Sequence, residues 1–359
     1  MLSKRLPHFL NVVLMVIAST AIPCWSEEFP KEVPQTNAPK TELLQPIVLP
    51  AKGIVGNMSS IGSDTLASLM TVWSAEFNRI YPQAKIQIQT TGSSAPPIAI
   101  TAGTASVGPM SRPLKPSERQ SFINKYGYEP LMITVAIDAI GVFVKDTNPL
   151  TSITLAQLDG LYSATRYCAP RRAIDNWAEL LTHDEYNQAE FSNMARFPVR
   201  LYGRNSASGT YIFFKQRALC NGDYKAQVQQ LPSSSSIIQT VANGLGAMGY
   251  ASVGYQSSGV KTLAIARSSI EPAYQVNAHN VQTGRYPLAR SLYLMINHQS
   301  GKPFSPVLAE FLKFVLSDDG QLIVVQEGYF PIAGSLQQAQ LKTLFDMTDT
   351  SVSKLSPLN

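Results

Sequence analysis

The stretch "GIVGNMSSIGSDTLASLMTVWSAEFNRIYP" (53–82), continued by "AKIQIQTTGSSAPPIAITAGTA" (84–105), decides the fold. Leu66, Leu69, Met70, Trp73, Phe77 and Ile80 recur every three or four residues and form one apolar face, which predicts a helix. Ser63, Asp64 and Thr65 stand where helix N-caps belong. A short strand precedes them. Ile86 and Ile88 alternate in a second strand that breaks at Gly92-Ser93-Ser94, and Pro96 and Pro97 then open a second helix. The apolar run "LMITVAIDAIGVFVK" (131–145) is a further, buried strand. Strands alternating with helices predict an α/β protein with mainly parallel sheets.

In such sheets, ligands meet the carboxyl ends of strands, where helix N-termini present free N–H groups. Three hydroxyl-rich turns fall at such positions: Ser63-Asp64-Thr65, Ser93-Ser94 and Ser208-Gly209-Thr210. One turn of this kind is only a cap. Three of them could surround a single anion with backbone and hydroxyl donors.

Three other readings fail on spacing or order. "GLGAMG" (244–249) has the glycines of a dinucleotide fingerprint, but it follows a helical segment and precedes a strand, the reverse of what that motif requires. It reads as a helix C-cap and turn. Ser208 lacks the flanking glycine pattern of a nucleophile elbow, and no Gly-Lys-Ser/Thr run marks a P-loop.

Composition sets the remaining bounds. The chain has 359 residues, 45% apolar and 15% charged, enough for two domains with packed cores. The start "MLSKRLPHFLNVVLMVIASTAIPCWS" has a basic beginning, an apolar run over 9–18 and small residues after it, so 1–26 reads as a secretory signal with cleavage after Ser26. A lipoprotein start at Cys24 is the competing reading, and Pro23 disfavours it. Residues 27–52 are Pro-rich and polar, a flexible leader. The signal carries Lys4 and Arg5 and no acid, so its loss lowers the formal charge of +5 by two. That remainder, without a basic cluster, argues against nucleic acid. After the signal two cysteines remain, Cys168 and Cys220. In an oxidising compartment they are expected to form a disulfide, the alternative being two buried thiols. Four scattered histidines give no metal-ligand spacing, and no cofactor is expected.

Seven segments, "IGSDTLASLMTVWSAEFNRIYP" (61–82), "TGSSAPP" (91–97), "VGPMSRPLKPSE" (107–118), "LYGRNSASGTYIFF" (201–214), "GAMGYASVGY" (246–255), "YPLARSLYLMIN" (286–297) and "EFLKFVLSDDGQLIVVQEGYFPI" (310–332), stand in a common order. Together they make residues 53–335 resemble the phosphate-binding proteins of bacterial phosphate-uptake ABC transporters.

The resemblance implies a type II periplasmic binding protein: two α/β lobes, a two-strand hinge and an anion held between the lobes. It assigns 53–137 and 266–359 to lobe one and 138–265 to lobe two. The first crossing is implied near "AIDAIGVFVK" (136–145) and the return near "KTLAIA" (261–266). Both cysteines then fall in lobe two.

Matched residue by residue, the implied phosphate ligands are Ser63, Asp64, Thr65, Ser93 with Ser94 as its near alternative, Ser111, Arg112, Arg204, Ser208, Gly209 and Thr210. Arg204 supplies a permanently charged planar fork suited to two phosphate oxygens, unless it serves only in a surface ion pair. Pro113 leaves the direction of Arg112 open. Some members carry an aspartate where this chain has Ser111, an acceptor for the proton that phosphate carries and sulfate lacks. Asp64 is either the replacement acceptor or a helix cap.

The expectation is a monomeric periplasmic protein, not an enzyme, that delivers inorganic phosphate to the membrane permease subunits of an ABC transporter. A phosphatase-like enzyme using the same donors, a receptor for another oxyanion such as sulfate, and a secreted scaffold without an anion are the alternatives.

Overall fold

In the computed structural model, residues 53–168, 172–181 and 197–345 are described. The expected signal (1–26), the expected leader (27–52) and residues 346–359 lie outside them.

The opening stretch folds as its periodicity predicts. Strand β1 (Gly56–Gly62) leads through a short 3-10 turn into helix α1 (Ala67–Ile80), and β2 (Ala84–Thr90) lies parallel to β1. Leu69, Met70, Trp73 and Phe77 of α1 are buried. The helix stops at Tyr81 because Pro82 disfavours helical backbone in the residue before it. Trp73 donates its indole N–H to the Gly320 carbonyl at 2.9 Å, and Phe77 meets Phe311 edge to face. Helix α2 (Pro96–Ala102) begins on the two prolines, followed by β3 (Gly108–Met110) and α3 (Pro116–Tyr126).

Strand β4 occupies Leu131–Lys145, and its near-continuous apolar run reflects cover on both faces. Next come β5 (Ser152–Thr154), α4 (Leu155–Tyr162), β6 (Arg200–Arg204), α5 (Gly209–Ala218), β7 (Gln229–Leu231), α6 (Ser234–Asn243), β8 (Ala247–Ser252), β9 (Val260–Thr262) and β10 (Ala264–Ala266). In "GLGAMG", Gly244 caps α6, 244–246 make the turn, and 247–249 open β8, as the order in the sequence predicts. Helix α7 (Ala278–Gln282), β11 (Ala289–Ile296), α8 (Pro306–Val315), α9 (Asp318–Gln326) and α10 (Gly334–Phe345) complete the described chain.

The main sheet runs β3-β11-β4-β8-β6-β7, with β9 also on β4. The α/β class is as expected, and parallel pairing holds for β1 with β2, β5 with β10, and β6 with β7 and β8. The centre differs. β4 pairs antiparallel with β8, β9 and β11, and β11 with β3, because β4 and β11 traverse the molecule in opposite directions.

Two large apolar cores follow from this sheet. The first gathers residues from 58–136 and 292–344, the second from 139–288. β4 supplies Ile133 and Val135 to the first core and Val142 to Val144 to the second. Leu263, Ile265, Tyr286 and Leu288 still belong to the second core, and Leu292 is back in the first. Leu263 and Ile265 of "KTLAIA" thus lie in the second core, and β11 begins where residues of the first core resume.

Cys168 and Cys220 form a disulfide, with Cα atoms 5.4 Å apart, beside the second core. No helix among the described residues is long and apolar enough to cross a membrane.

Candidate functional site

Elements of the two cores meet along a buried polar seam. On one side, the Ser63 hydroxyl accepts the Thr65 N–H and so caps the turn before α1. The Ser93 loop turns on Gly92, whose φ of +98° suits glycine. A side chain at Gly92 would also press a Cβ to within 2.6 Å of the Ala207 carbonyl oxygen. Ser111 follows β3, and its N–H donates to the Ser93 hydroxyl at 3.0 Å. On the other side, Ser208 caps α5 by accepting the Thr210 N–H.

Hydroxyls link these loops directly. Ser63 donates to the Ser111 hydroxyl at 3.0 Å, and Ser93 and Ser111 pair at 3.0 Å. Thr65 and Thr210 pair at 3.1 Å across the seam. Gly209 lies against the serines so closely that a Cβ on it would stand 2.4 Å from Ser111 Oγ and 2.6 Å from Ser93 Oγ. Ser63, Thr65, Ser93, Ser111, Ser208 and Thr210 are all buried. The structure thus brings eight of the sequence-predicted residues, counting Gly209 and Arg204, to one place.

Arg204 ends β6 and is 2% exposed, which removes the surface-pair reading. Its Nη1 lies 2.9 Å from Asp64 Oδ2 and 3.0 Å from Ser234 Oγ, and its Nη2 donates to the Pro232 carbonyl. Burial lowers its pKa and the Asp64 carboxylate opposes that shift. Guanidinium remains charged at any physiological pH. Its buried Nε has no hydrogen-bond partner among the described residues.

Asp64 caps a helix from a distance: the Ser234 N–H at the start of α6 donates to its Oδ2 at 3.1 Å. The Asp64 carbonyl accepts the Tyr255 hydroxyl at 2.7 Å. Burial, aided by the Asp64 charge, pushes the Tyr255 phenol up to about 12, so it stays a donor.

The remaining two expected residues lie differently. Ser94 is half-buried and reaches the seam by its backbone, its N–H donating to the Ala207 carbonyl. Arg112 turns its fork onto Glu118, at 2.8 and 2.7 Å, and also donates to the Ser93 carbonyl. Its guanidinium props the Ser93 loop from behind.

Two charged residues escaped the sequence reading. Asp138 in β4 and Arg290 in β11 sit opposite each other in register and form a buried pair at 2.8 Å. Burial raises the Asp138 pKa against the pull of Arg290 and Ser252; burial, with Arg204 nearby, lowers that of Arg290 against the pull of Asp138. Arg290 Nη2 reaches Thr210 Oγ1 at 2.8 Å and Thr65 Oγ1 at 3.3 Å. The signal was in the sequence: a lone charge inside each of two apolar strands, which burial tolerates only as a pair.

The arrangement collects hydroxyl donors, a helix N-terminus and two guanidiniums in a water-excluded seam, a setting that favours a small tetrahedral oxyanion. Comparison with known proteins agrees. A family model for the PBP superfamily domain matches residues 50–319. The chain is 45% identical over 295 residues to the phosphate-binding protein PstS of Pseudomonas aeruginosa PAO1, covering 82% of this chain and 88% of that one. Two crystal structures share the fold. A putative phosphate ABC transporter substrate-binding protein with bound phosphate, from Clostridium perfringens, has a TM-score of 0.64 at 23% identity, covering 77% of this chain and all of that one. An ABC-type phosphate transport receptor from Vibrio cholerae has a TM-score of 0.58 at 21% identity, with the same coverage. By the span of the family model and the extent of the 45% identity, the chain belongs to the PstS phosphate-binding proteins of the PBP superfamily.

Proposed function

We propose that this protein captures inorganic phosphate in the seam and delivers it to the permease of an ABC transporter, acting as a monomeric periplasmic binding protein rather than an enzyme. One observation carries the reading: donors from both cores converge on Gly209, at the start of α5, within hydrogen-bonding distance of one another. The lobes divide where β4 and β11 pass between the cores, and those two strands serve as the hinge. In the closed seam the hydroxyls bond each other; an entering phosphate exchanges the bonds among the serines for bonds to its oxygens and so requires the lobes to part first. A hydrogen bond to a charged group contributes about 1.5–3 kcal/mol net, and micromolar affinity needs about 8 kcal/mol, so one arginine and a few hydroxyl and N–H donors suffice.

Calorimetric titration of the anion-stripped protein with phosphate and with sulfate tests the reading. Tight binding of phosphate alone is expected; binding of sulfate alone overturns the ligand, and binding of neither overturns the function. Arg204→Ala is expected to weaken phosphate binding by at least about a hundredfold, since it removes the charged fork and leaves Asp64 unpaired in the seam.

A further inference from the structure

The Asp138–Arg290 pair is built into the strands that pass between the cores. Asp138 Oδ2 accepts from Arg290 Nε at 3.1 Å and Nη2 at 2.8 Å, and Asp138 Oδ1 accepts the Ser252 hydroxyl at 2.7 Å. The guanidinium also lies 5.4 Å from the centre of the Phe213 ring. It is held from two sides. Its Nη1 is buried with no hydrogen-bond partner among the described residues.

Nη2 carries two protons. One serves Asp138, and the other is shared between the hydroxyls of Thr210 and Thr65. A guanidinium has no acceptor atom, so the direction of these bonds cannot reverse. Each threonine hydroxyl has one proton, and the two oxygens bond each other at 3.1 Å, one donating to the other. One hydroxyl proton is left over, and it must point away from Arg290.

We infer that Arg290, clamped by Asp138, is a positioning and specificity residue of the seam: it makes the Thr65–Thr210 pair an obligate donor to an unprotonated oxygen of the anion. The inference rests on the phosphate reading above. It also divides the labour within the site. The threonine side accepts no proton from the ligand, so a protonated phosphate oxygen turns to Ser63, Ser93 and Ser111, whose hydroxyls rotate to accept. The same guanidinium bonds one threonine from each side of the seam, so its grip is complete only when the lobes are closed.

The alternative is a pair that merely supports the hinge. Replacing both partners by neutral residues, Asp138→Asn with the shorter Arg290→Gln, separates the two, because no unpaired buried charge remains to unfold the chain. Phosphate affinity is measured by calorimetry for the unmodified protein, this double variant, Thr210→Val and the triple combination, with melting temperatures alongside. The expected result is a loss of about tenfold to a hundredfold in the double variant at near-normal melting temperature. A comparable loss is expected in Thr210→Val, and the triple variant stays within about twofold of the weaker of the two, because both act through one proton. Unchanged affinity in the folded double variant overturns the inference, and so do losses that multiply in the triple. If the double variant does not fold, Asp138→Leu with Arg290→Met, an apolar pair that leaves no buried charge, takes its place under the same criteria. An unmodified protein that fails to bind phosphate refutes the function itself; one that binds while the variants match it refutes only the role of Arg290.

Discussion

Gly209→Ala sets helix propensity against packing in the seam. Gly209 begins α5, and its backbone is compatible with a side chain, so alanine gains up to about 1 kcal/mol of helix propensity. The new methyl, however, stands 2.4 Å from Ser111 Oγ and 2.6 Å from Ser93 Oγ, at least about 1 Å inside ordinary contact. Neither serine has free space, since both are fully buried. Relief requires Ser111 to give up its bonds to Ser63 and Ser93, each 3.0 Å long. The same displacement withdraws both hydroxyls from the anion; at about 0.5–1.5 kcal/mol per bond, two bonds to phosphate amount to about 1–3 kcal/mol, a fall in affinity of about fivefold to 150-fold. Calorimetry with phosphate reads the loss, and the melting temperature without phosphate is expected to fall, because the two serine bonds outweigh the gain in helix propensity. Wild-type affinity in this variant would refute the argument, because the closed seam would then not be the geometry that holds the anion.

Glu118 is pulled upward by burial, but the Arg112 fork and the Lys115 N–H outweigh that and leave its pKa lowered. A lowered carboxylate stabilises the fold above its ordinary range and loses that contribution as pH falls through the folded value. Melting temperature followed against pH should therefore drop on acidification, and Glu118→Gln should flatten that part of the curve. Trp73→Ala empties a fully buried site and frees the Gly320 carbonyl, at a cost of about 3–5 kcal/mol in denaturant unfolding. Reduction of Cys168–Cys220, which closes a 52-residue separation, is expected to cost up to about 4 kcal/mol in the chain-entropy view and to leave phosphate affinity unchanged.

Periodicity made α1 legible because its apolar residues recur at a helical spacing, and the continuous apolar run of 131–145 marked β4 as buried. The donor turns were legible as N-caps, and Ser63 and Ser208 do cap their helices. Spacing does not say how loops far apart in the chain come together; the common order of the segments supplied that. What stayed hidden depends on pairing across space. Whether Arg112 faces the seam or Glu118 is decided by where α3 packs, and Asp64 meets Arg204 only because the cores close on one another.

The unequal make-up of the two cores sets an order of assembly. The second core draws on one unbroken span, 139–288, whereas the first needs residues 58–136 together with 292–344. A chain made from its N terminus can complete the second core while the first still lacks α8 and α9, and the bridge between Cys168 and Cys220 can close within that earlier unit. Joining 58–136 to 292–344 closes a loop across the whole finished unit, which makes it the slower event. Arg290 arrives on the last strand to span the cores, so the seam acquires its second guanidinium only as that closing step begins.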